Sequence, residues 1–295
     1  MKTGWKYYFL YAVIIIGSVV FSFIIIQTIK AKSTGFETKT LWDWMELLII
    51  PLVLAFGVFY LNRSERTIER QRTEERVKEE RKLAEDRANI ERRIAIDSQQ
   101  EAALQGYLDR MADLLLREKL GDSKSKNKEV RNVARVRTLT LLRGLDKTRK
   151  GLVLHFLNEA ALINKVNPIV SLEGADLQNA DLHLAQLTDT FLFGANLQNA
   201  DLSLAFLSNA DLSFSKLQNA NLQDASLDKA KLYNAHLNGA NLIHADLSDA
   251  DLSLADLSDA DLSDANLEGV KVTELDLISA KSLKNAIMPD GTKHE

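Results

Sequence analysis

The residues of this chain that most invite a chemical reading are its carboxylates. Its 295 residues include no cysteine, which removes thiol nucleophiles, disulfides and Cys-based zinc sites. No glycine-rich phosphate loop ending in lysine, no His-Glu-x-x-His and no Gly-x-Ser-x-Gly is present. His155 stands among apolar residues with no second histidine or carboxylate at helical ligand spacing, so it reads as a packed core side chain. What remains is a dense set of aspartates: Asp246, Asp249, Asp251, Asp256, Asp259, Asp261 and Asp264. Clustered carboxylates can share protons in acid–base catalysis or bind calcium. Here the spacing of a calcium loop is missing, and Asp246, Asp251, Asp256 and Asp261 recur every fifth residue, each between an alanine and a leucine. That regularity assigns them to architecture, so the sequence predicts no enzyme, no cofactor and no metal.

The element that carries these aspartates is a five-residue repeat. From Leu172 to Leu267 a leucine occupies every fifth position, 20 in succession, and the register continues through Val272 and Leu277. Alanine stands two places before most of these leucines, and the residue between is usually Asp or Asn, as in Ala175-Asp176-Leu177. A period of five fits neither an α-helix nor a flat strand. In a short extended segment the alanine and the leucine fall on one side, so a small and a large apolar group can interdigitate in a narrow core. The Asp or Asn between them faces outward and can accept backbone N–H groups as in an Asx turn. Copies of one such unit must stack on themselves, with neighbouring turns of the coil paired backbone to backbone. Thr190, Ser215 and Val270 depart from the small apolar position, and Val270, Val272 and Leu275 suggest a last coil that widens toward a cap.

The run 240–252, Ala-Asn-Leu-Ile-His-Ala-Asp-Leu-Ser-Asp-Ala-Asp-Leu, resembles the pentapeptide-repeat proteins. The resemblance covers about residues 172–278, and the tail 285–292 is similar to a frequent ending of bacterial members. It implies a right-handed quadrilateral β-helix with four repeats per turn. Ala240 and Leu242 match its inward pair and Asn241 its polar corner. With two apolar stretches in front, the chain is similar to membrane-anchored bacterial members.

Those stretches come first in the chain. Residues 7–29 carry no charge over 23 residues, enough for a helix to cross a hydrocarbon core of roughly 30 Å. Residues 44–61 form a second apolar segment with only Glu46 near its start and Pro51 inside it. Trp5, Trp42 and Trp44, all the tryptophans present, lie beside these segments, where a bilayer interface favours them. Arg63, Arg66, Arg70, Arg72 and Arg76 follow the second stretch and Lys2 and Lys6 precede the first. The bias predicts an inner-membrane hairpin with both termini in the cytoplasm.

Residues 62–93 then hold 20 charged residues with no Gly or Pro and opposite charges at helical spacing, which predicts a solvated helix. Ile90, Ile94, Leu104, Leu108, Met111 and Leu115 continue as a seam interrupted by Asp97 and Glu101. Packing within one chain and homo-oligomerisation both fit that seam. A polar loop at 121–128 precedes two basic helices, the first with Val130, Val133, Val136, Leu139 and Leu142 on an apolar face, the second with Leu152, Phe156 and Leu157.

The expected fold class is thus mixed: a two-helix transmembrane hairpin (1–61), a long charged helix (62–120), a small basic helical adaptor (121–170), the β-helix (171–278) and a C-terminal cap and tail (279–295). Charge divides along the same line, with a net of +9 over 1–170 and −13 over 171–295. No aromatic platform accompanies the basic helices, which argues against direct nucleic-acid binding. The expected function is a membrane-tethered scaffold for a protein partner. Its candidate docking patch is the outward apolar set Leu184, Phe191, Phe193, Leu204, Phe206 and Phe214 near the start of the coil. Packing under the 146–163 helix would also account for that set. The alternative is an acidic rod that mimics DNA toward a DNA-binding protein such as a topoisomerase, presenting the seven aspartates as a face. Duplex DNA carries about one charge per 1.7 Å, comparable with −13 over a rod of roughly 26 Å.

Overall fold

A computed structural model describes residues 15, 17–23, 25, 26, 49–117, 120, 128–163 and 168–295. The chain divides into two compact units, Met1–Asn89 and Ile90–Glu295. Most of the predicted 7–29 span, the start of the 44–61 span and the 121–127 loop lie outside the described residues. Among the described residues, no helix is long and apolar enough to cross a membrane. Residues 17–23 are helical.

The first long element is α1, Ile50–Leu116, 67 residues. Its middle is rich in Glu, Arg, Lys, Ala and Leu, which lose little side-chain freedom in a helix. Only Leu104, Tyr107 and Met111 are buried on it, at spacings of three and four. The predicted seam is therefore half used. Leu104 and Met111 reach the core, whereas Ile90 and Ile94 stay exposed. The two acids that looked like a break have a partner: Arg149 donates to Asp97 at 2.8 Å and to Glu101 at 2.9 Å.

Helix α2, Lys128–Gly144, buries Ala134, Thr138 and Leu142, one residue per turn. Val133 and Val136, expected on the apolar face, are exposed, because the buried stripe of Ala134, Thr138 and Leu142 runs one residue from Val133 and two from Val136. The stripe is held by a polar bond inside the core. Tyr107 Oη and Thr138 Oγ1 lie 2.8 Å apart, and Thr138 also donates to Ala134 O. Burial pushes the Tyr107 phenol up to about 12 despite the hydrogen bond to Thr138.

Helix α3, Lys147–Glu159, starts at Asp146, whose side chain caps the Arg149 N–H at 2.9 Å. Burial would raise the Asp146 carboxyl, but bonds from the Arg149 backbone and guanidinium outweigh it and hold the group below its usual range. Val153, Leu154 and Leu157 are buried. His155, expected in the core, is exposed, because it falls on the opposite side of α3 from these three. Leu152 is exposed for the same reason.

α3 closes the open end of the coil. A first coil has backbone groups with no rung beneath them, a liability unless something covers them. Here Asp181 N donates to Lys147 O at 3.0 Å, and Gly151 lies so close to Asp181 O that a Cβ would sit 2.2 Å from it. Lys150, nearly buried, donates to Gln178 O at 2.9 Å with Asp176 3.8 Å away. From α2, Arg135 donates to Glu173 O. Core residues of the helices and of the coil form one continuous cluster.

From Asp176 onward every rung pairs in parallel with the residue 20 places later, Asp176 with Asn196 and so on to Asp251 with Lys271. Four five-residue sides therefore make one turn. The leucines 172–267 are all buried, as are the alanines two places before them apart from the half-buried Ala185. Each side is a β-turn closed by a bond such as Ala180 N to Leu177 O, 3.0 Å. The Asx position acts as expected where it can: Asp201 Oδ1 takes Ser203 N at 3.1 Å and Asp246 Oδ1 takes Ser248 N at 3.0 Å. The conformational strain, however, falls two places after the leucine, where φ lies between about +52° and +71° throughout the coil. Fourteen of the twenty residues there are Gly, Asn or Asp, the types that tolerate this region.

The coil runs past 278, further than the leucine register indicates. Helix α4, Glu274–Ile278, sits inside the last turn, opened by a Thr273/Asp276 capping box. It places Leu277 inside while Leu275 and Ile278 stay exposed. The insertion lengthens that turn by one residue, so Asp261 pairs with Ser282 and Asn266 with Ile287. Lys293 then pairs antiparallel with Ile287.

Candidate interaction surface

The four-sided coil sorts outward residues into columns, one per side, each rising by 20 residues per rung. Column one holds the repeats of Leu172, Leu192, Leu212, Leu232 and Leu252, and columns two, three and four begin at Leu177, Leu182 and Leu187.

This sorting divides the predicted apolar set. Phe191, Phe193 and Phe214 share column one. Leu184 and Leu204 adjoin in column three, on the opposite side of the coil, and Phe206 is in column four. Only the first group forms a cluster. Phe191 and Phe193 stack with centroids 6.0 Å apart, Phe193 meets Phe214 at 5.1 Å, and Phe214 meets Tyr233 edge-on at 5.6 Å. The rings climb three rungs as a ladder and cover Ser213, which is 7% exposed although it occupies an outward position. Leu254, 64% exposed, stands above Asn234 in the same column. Tyr233 and Leu254 were not in the sequence-based set. Writing the repeat in blocks of 20 would have aligned Tyr233 with Phe193 and Leu254 with Phe214.

Helix α3 does not cover the ladder. Its contacts are with Gln178 and Asp181, in columns two and three, and Phe214 and Tyr233 remain exposed at 43% and 40%. Two of the column's apolar residues occupy strained backbone: φ is +59° at Phe214 and +61° at Leu254. A left-handed conformation costs a bulky L-residue on the order of 1–2 kcal/mol. Column two holds only Asn, Gly and Asp at that position, so the fold itself does not ask for large side chains there.

The seven aspartates do not share a face. Asp246 and Asp249 lie in column four, Asp251 in column one, Asp256 and Asp259 in column two, Asp261 and Asp264 in column three. Together they ring the coil. Each has a structural use: Asp246, Asp251, Asp256 and Asp261 accept the N–H of Ser248, Ser253, Ser258 and Ser263 at 3.0–3.2 Å. Asp249, Asp259 and Asp264 occupy left-handed positions. Hydrogen bonding from the Ser253 side chain, with Lys271 3.7 Å away, holds Asp251 below the usual carboxylate range. The Ser263 hydroxyl and Lys281, at 3.1 Å, do the same for Asp261. Among the described residues, no group of three or more His, Asp or Glu side chains could hold a metal ion.

Charges of both signs stand beside the ladder. Lys231 lies two places before Tyr233, with its Nζ 3.6 Å from Asp211, and is paired rung to rung with Asp251. Lys216 and His236 lie on the neighbouring side of the coil, where His236 pairs in turn with Asp256.

The description "Pentapeptide repeats" matches in eight copies over residues 170–206, 205–242 and 235–273. No curated protein matches the chain. Among solved structures, it is similar to a pentapeptide repeat protein from Nostoc Pcc 7120, at 31% identity over 36% of this chain and 82% of the other, TM-score 0.26. It is also similar to one from the Arabidopsis thaliana thylakoid lumen, at 26% identity over 37% and 72%, TM-score 0.20. Full-length QnrB1, a plasmid-mediated fluoroquinolone resistance protein, matches at 17% identity over 43% and 82%, TM-score 0.24.

Proposed function

This chain is a pentapeptide-repeat protein over residues 170–273, and on that footing we propose that it is a membrane-tethered scaffold whose coil binds another protein. The observation that carries the reading is the pair of exposed rings, Phe214 and Tyr233, at the top of a ladder that starts from the half-buried Phe191 and Phe193. Apolar rings held outward, one of them at a left-handed position that Gly, Asn or Asp fills at most other turns, are not required by the fold of the coil. The 23 uncharged residues of 7–29, the flanking tryptophans and the arginines after residue 61 support an anchor in the inner membrane with the coil on the cytoplasmic side. The DNA-mimic alternative gains no single acidic face from the seven aspartates, because they are spread over all four sides of the coil.

The test is a photo-crosslinking amino acid placed at Tyr233 and, separately, at Asn219 in column two, in the full chain in native membranes. The scaffold reading expects the protein in the carbonate-resistant membrane fraction and a discrete crosslinked partner at 233 and not at 219. Equal labelling at both positions, or recovery of the chain in the soluble fraction, contradicts it.

A further inference from the structure

The first turns of α1 carry no charge and are apolar on every side. Leu52, Val53 and Leu54, successive residues that face directions about 100° apart, are all exposed, and so are Val58, Phe59 and Leu61. A partner's groove takes one apolar stripe of a helix, whereas a helix apolar all round suits hydrocarbon. Where the charges begin, one face differs from the rest. Leu52, Phe56, Phe59, Arg63, Arg66 and Arg70 follow at alternating spacings of four and three, so three arginines continue one apolar stripe along a single side of α1. The Phe56 and Phe59 rings lie 6.3 Å apart on that stripe. Glu65 and Glu69 are turned roughly 130° and 90° round the helix from the centre of the arginines. Glu74 ends the basic stripe one turn past Arg70, and Arg72 and Arg76 fall toward the other side. Among the described residues, neither Arg66 nor Arg70 has an ion-pair partner.

Resting on the membrane-tethered reading, we propose that Arg63, Arg66 and Arg70 hold the phosphates of anionic phospholipids and lean α1 toward the bilayer on that side. Along the helix Arg66 stands about 7.5 Å beyond Leu61 and Arg70 about 13 Å. The headgroup layer is only about 5–7 Å deep. An upright helix brings Arg63 and Arg66 within reach of it, so Arg70 engages through tilt, its aliphatic stem along the surface. The Glu65 side then faces water. An acidic protein also attracts arginines. Here, however, the stripe starts within one turn of a segment that is apolar all round, and a bilayer offers both hydrocarbon around that segment and phosphate directly above it. Each arginine at such a surface favours the leaning state by about fivefold.

The chain has no cysteine, so a single introduced one reports on one position. Thr67→Cys lies about 70° from the centre of the stripe and Ile68→Cys about 170°, at nearly the same height. Each full chain, labelled there with a fluorophore, is reconstituted in vesicles of phosphatidylcholine alone or with about one-third phosphatidylglycerol. Quenching by a lipid with a nitroxide on its headgroup reads the distance to the surface. In the anionic vesicles position 67 should be quenched at least about twofold more than position 68, and in the neutral vesicles the two should be equal. High salt should shrink the difference. Arg66→Gln with Arg70→Gln should abolish it, and Arg72→Gln with Arg76→Gln should leave it. Equal quenching in anionic vesicles, the same difference in neutral ones, or equal effects of the two double variants overturns the proposal. If the chain still floats with the vesicles in those cases, the membrane anchor stands; a chain that floats with neither kind removes the anchor and the proposal together.

Discussion

Replacing Leu254 with asparagine should make this protein more stable, although it removes a large apolar side chain from a repeat rich in leucine. Leu254 holds φ at +61°. The backbone there costs a leucine about 1–2 kcal/mol, and asparagine far less, since its short polar side chain tolerates that region. Against this stands the lost burial. The side chain is 64% exposed, so roughly a third of the 1.5–3 kcal/mol of a buried leucine, about 0.5–1 kcal/mol, is forfeited. The balance favours the variant by about 0.5–1 kcal/mol, near 2 °C in Tm for a folded unit of this size. Thermal melting of Leu254→Asn beside the parent measures it. The reverse exchange, Asn199→Leu at φ +55° in column two, should destabilise by about 1 kcal/mol. Destabilisation by Leu254→Asn, or no penalty for Asn199→Leu, would refute the assignment of the strained position.

Gly151→Ala should cost about 1–3 kcal/mol, because the new methyl would meet the Asp181 carbonyl oxygen at 2.2 Å and lift α3 from the first coil. Hydrogen exchange at the Asp181 amide, normally bonded to Lys147 O, should accelerate, and an unchanged rate contradicts the capping role. Ser215→Ala should stabilise by about 1 kcal/mol in chemical denaturation: Ser215 is fully buried between Ala195 and Ala235 in its column and its hydroxyl has no partner. The protein should also lose stability in acid. Burial would raise Asp201, but bonds from Ser203 and Asn221 outweigh it, so Asp201, like Asp251 and Asp261, is held below its unfolded value of about 3.9. A carboxylate depressed by folding contributes stability above the unfolded pKa and loses it as pH falls through the folded one. Melting temperatures should therefore drop below about pH 4, less steeply in Asp261→Asn, and a flat profile contradicts these bonds.

The coil was legible because its rule is local. Each side needs one alanine, one leucine and an Asx, and five residues suffice to show them. The long-range pairings were not. Asp97 and Glu101 read as flaws in an apolar seam, since Arg149, which joins them, comes 48 to 52 residues later. Gly151 carries no local signal that a carbonyl of the coil will press on it. The strained position was hidden by Leu184, Leu204, Phe214, Lys229, His244 and Leu254, which break its Gly/Asn/Asp pattern at six places of twenty. The apolar set failed as a single patch for a geometric reason. Neighbours in sequence such as Leu204 and Phe206 turn a corner between columns, while Phe193 and Tyr233, 40 residues apart, join one ladder through Phe214.

The central claim is a coil of 20 residues per turn, and the absence of cysteine allows a direct measurement. The His183 ring lies 2.9 Å from the Ser203 hydroxyl, 20 residues away on the next rung, while Glu173, only 10 residues from His183, is on the opposite side. A chain carrying His183→Cys and Ser203→Cys should close a disulfide under mild oxidation, since adjacent rungs lie within the Cα distance such a bond needs. One carrying Glu173→Cys and His183→Cys should not, despite the shorter separation. Closure of the 173–183 pair with failure of the 183–203 pair would contradict the coil.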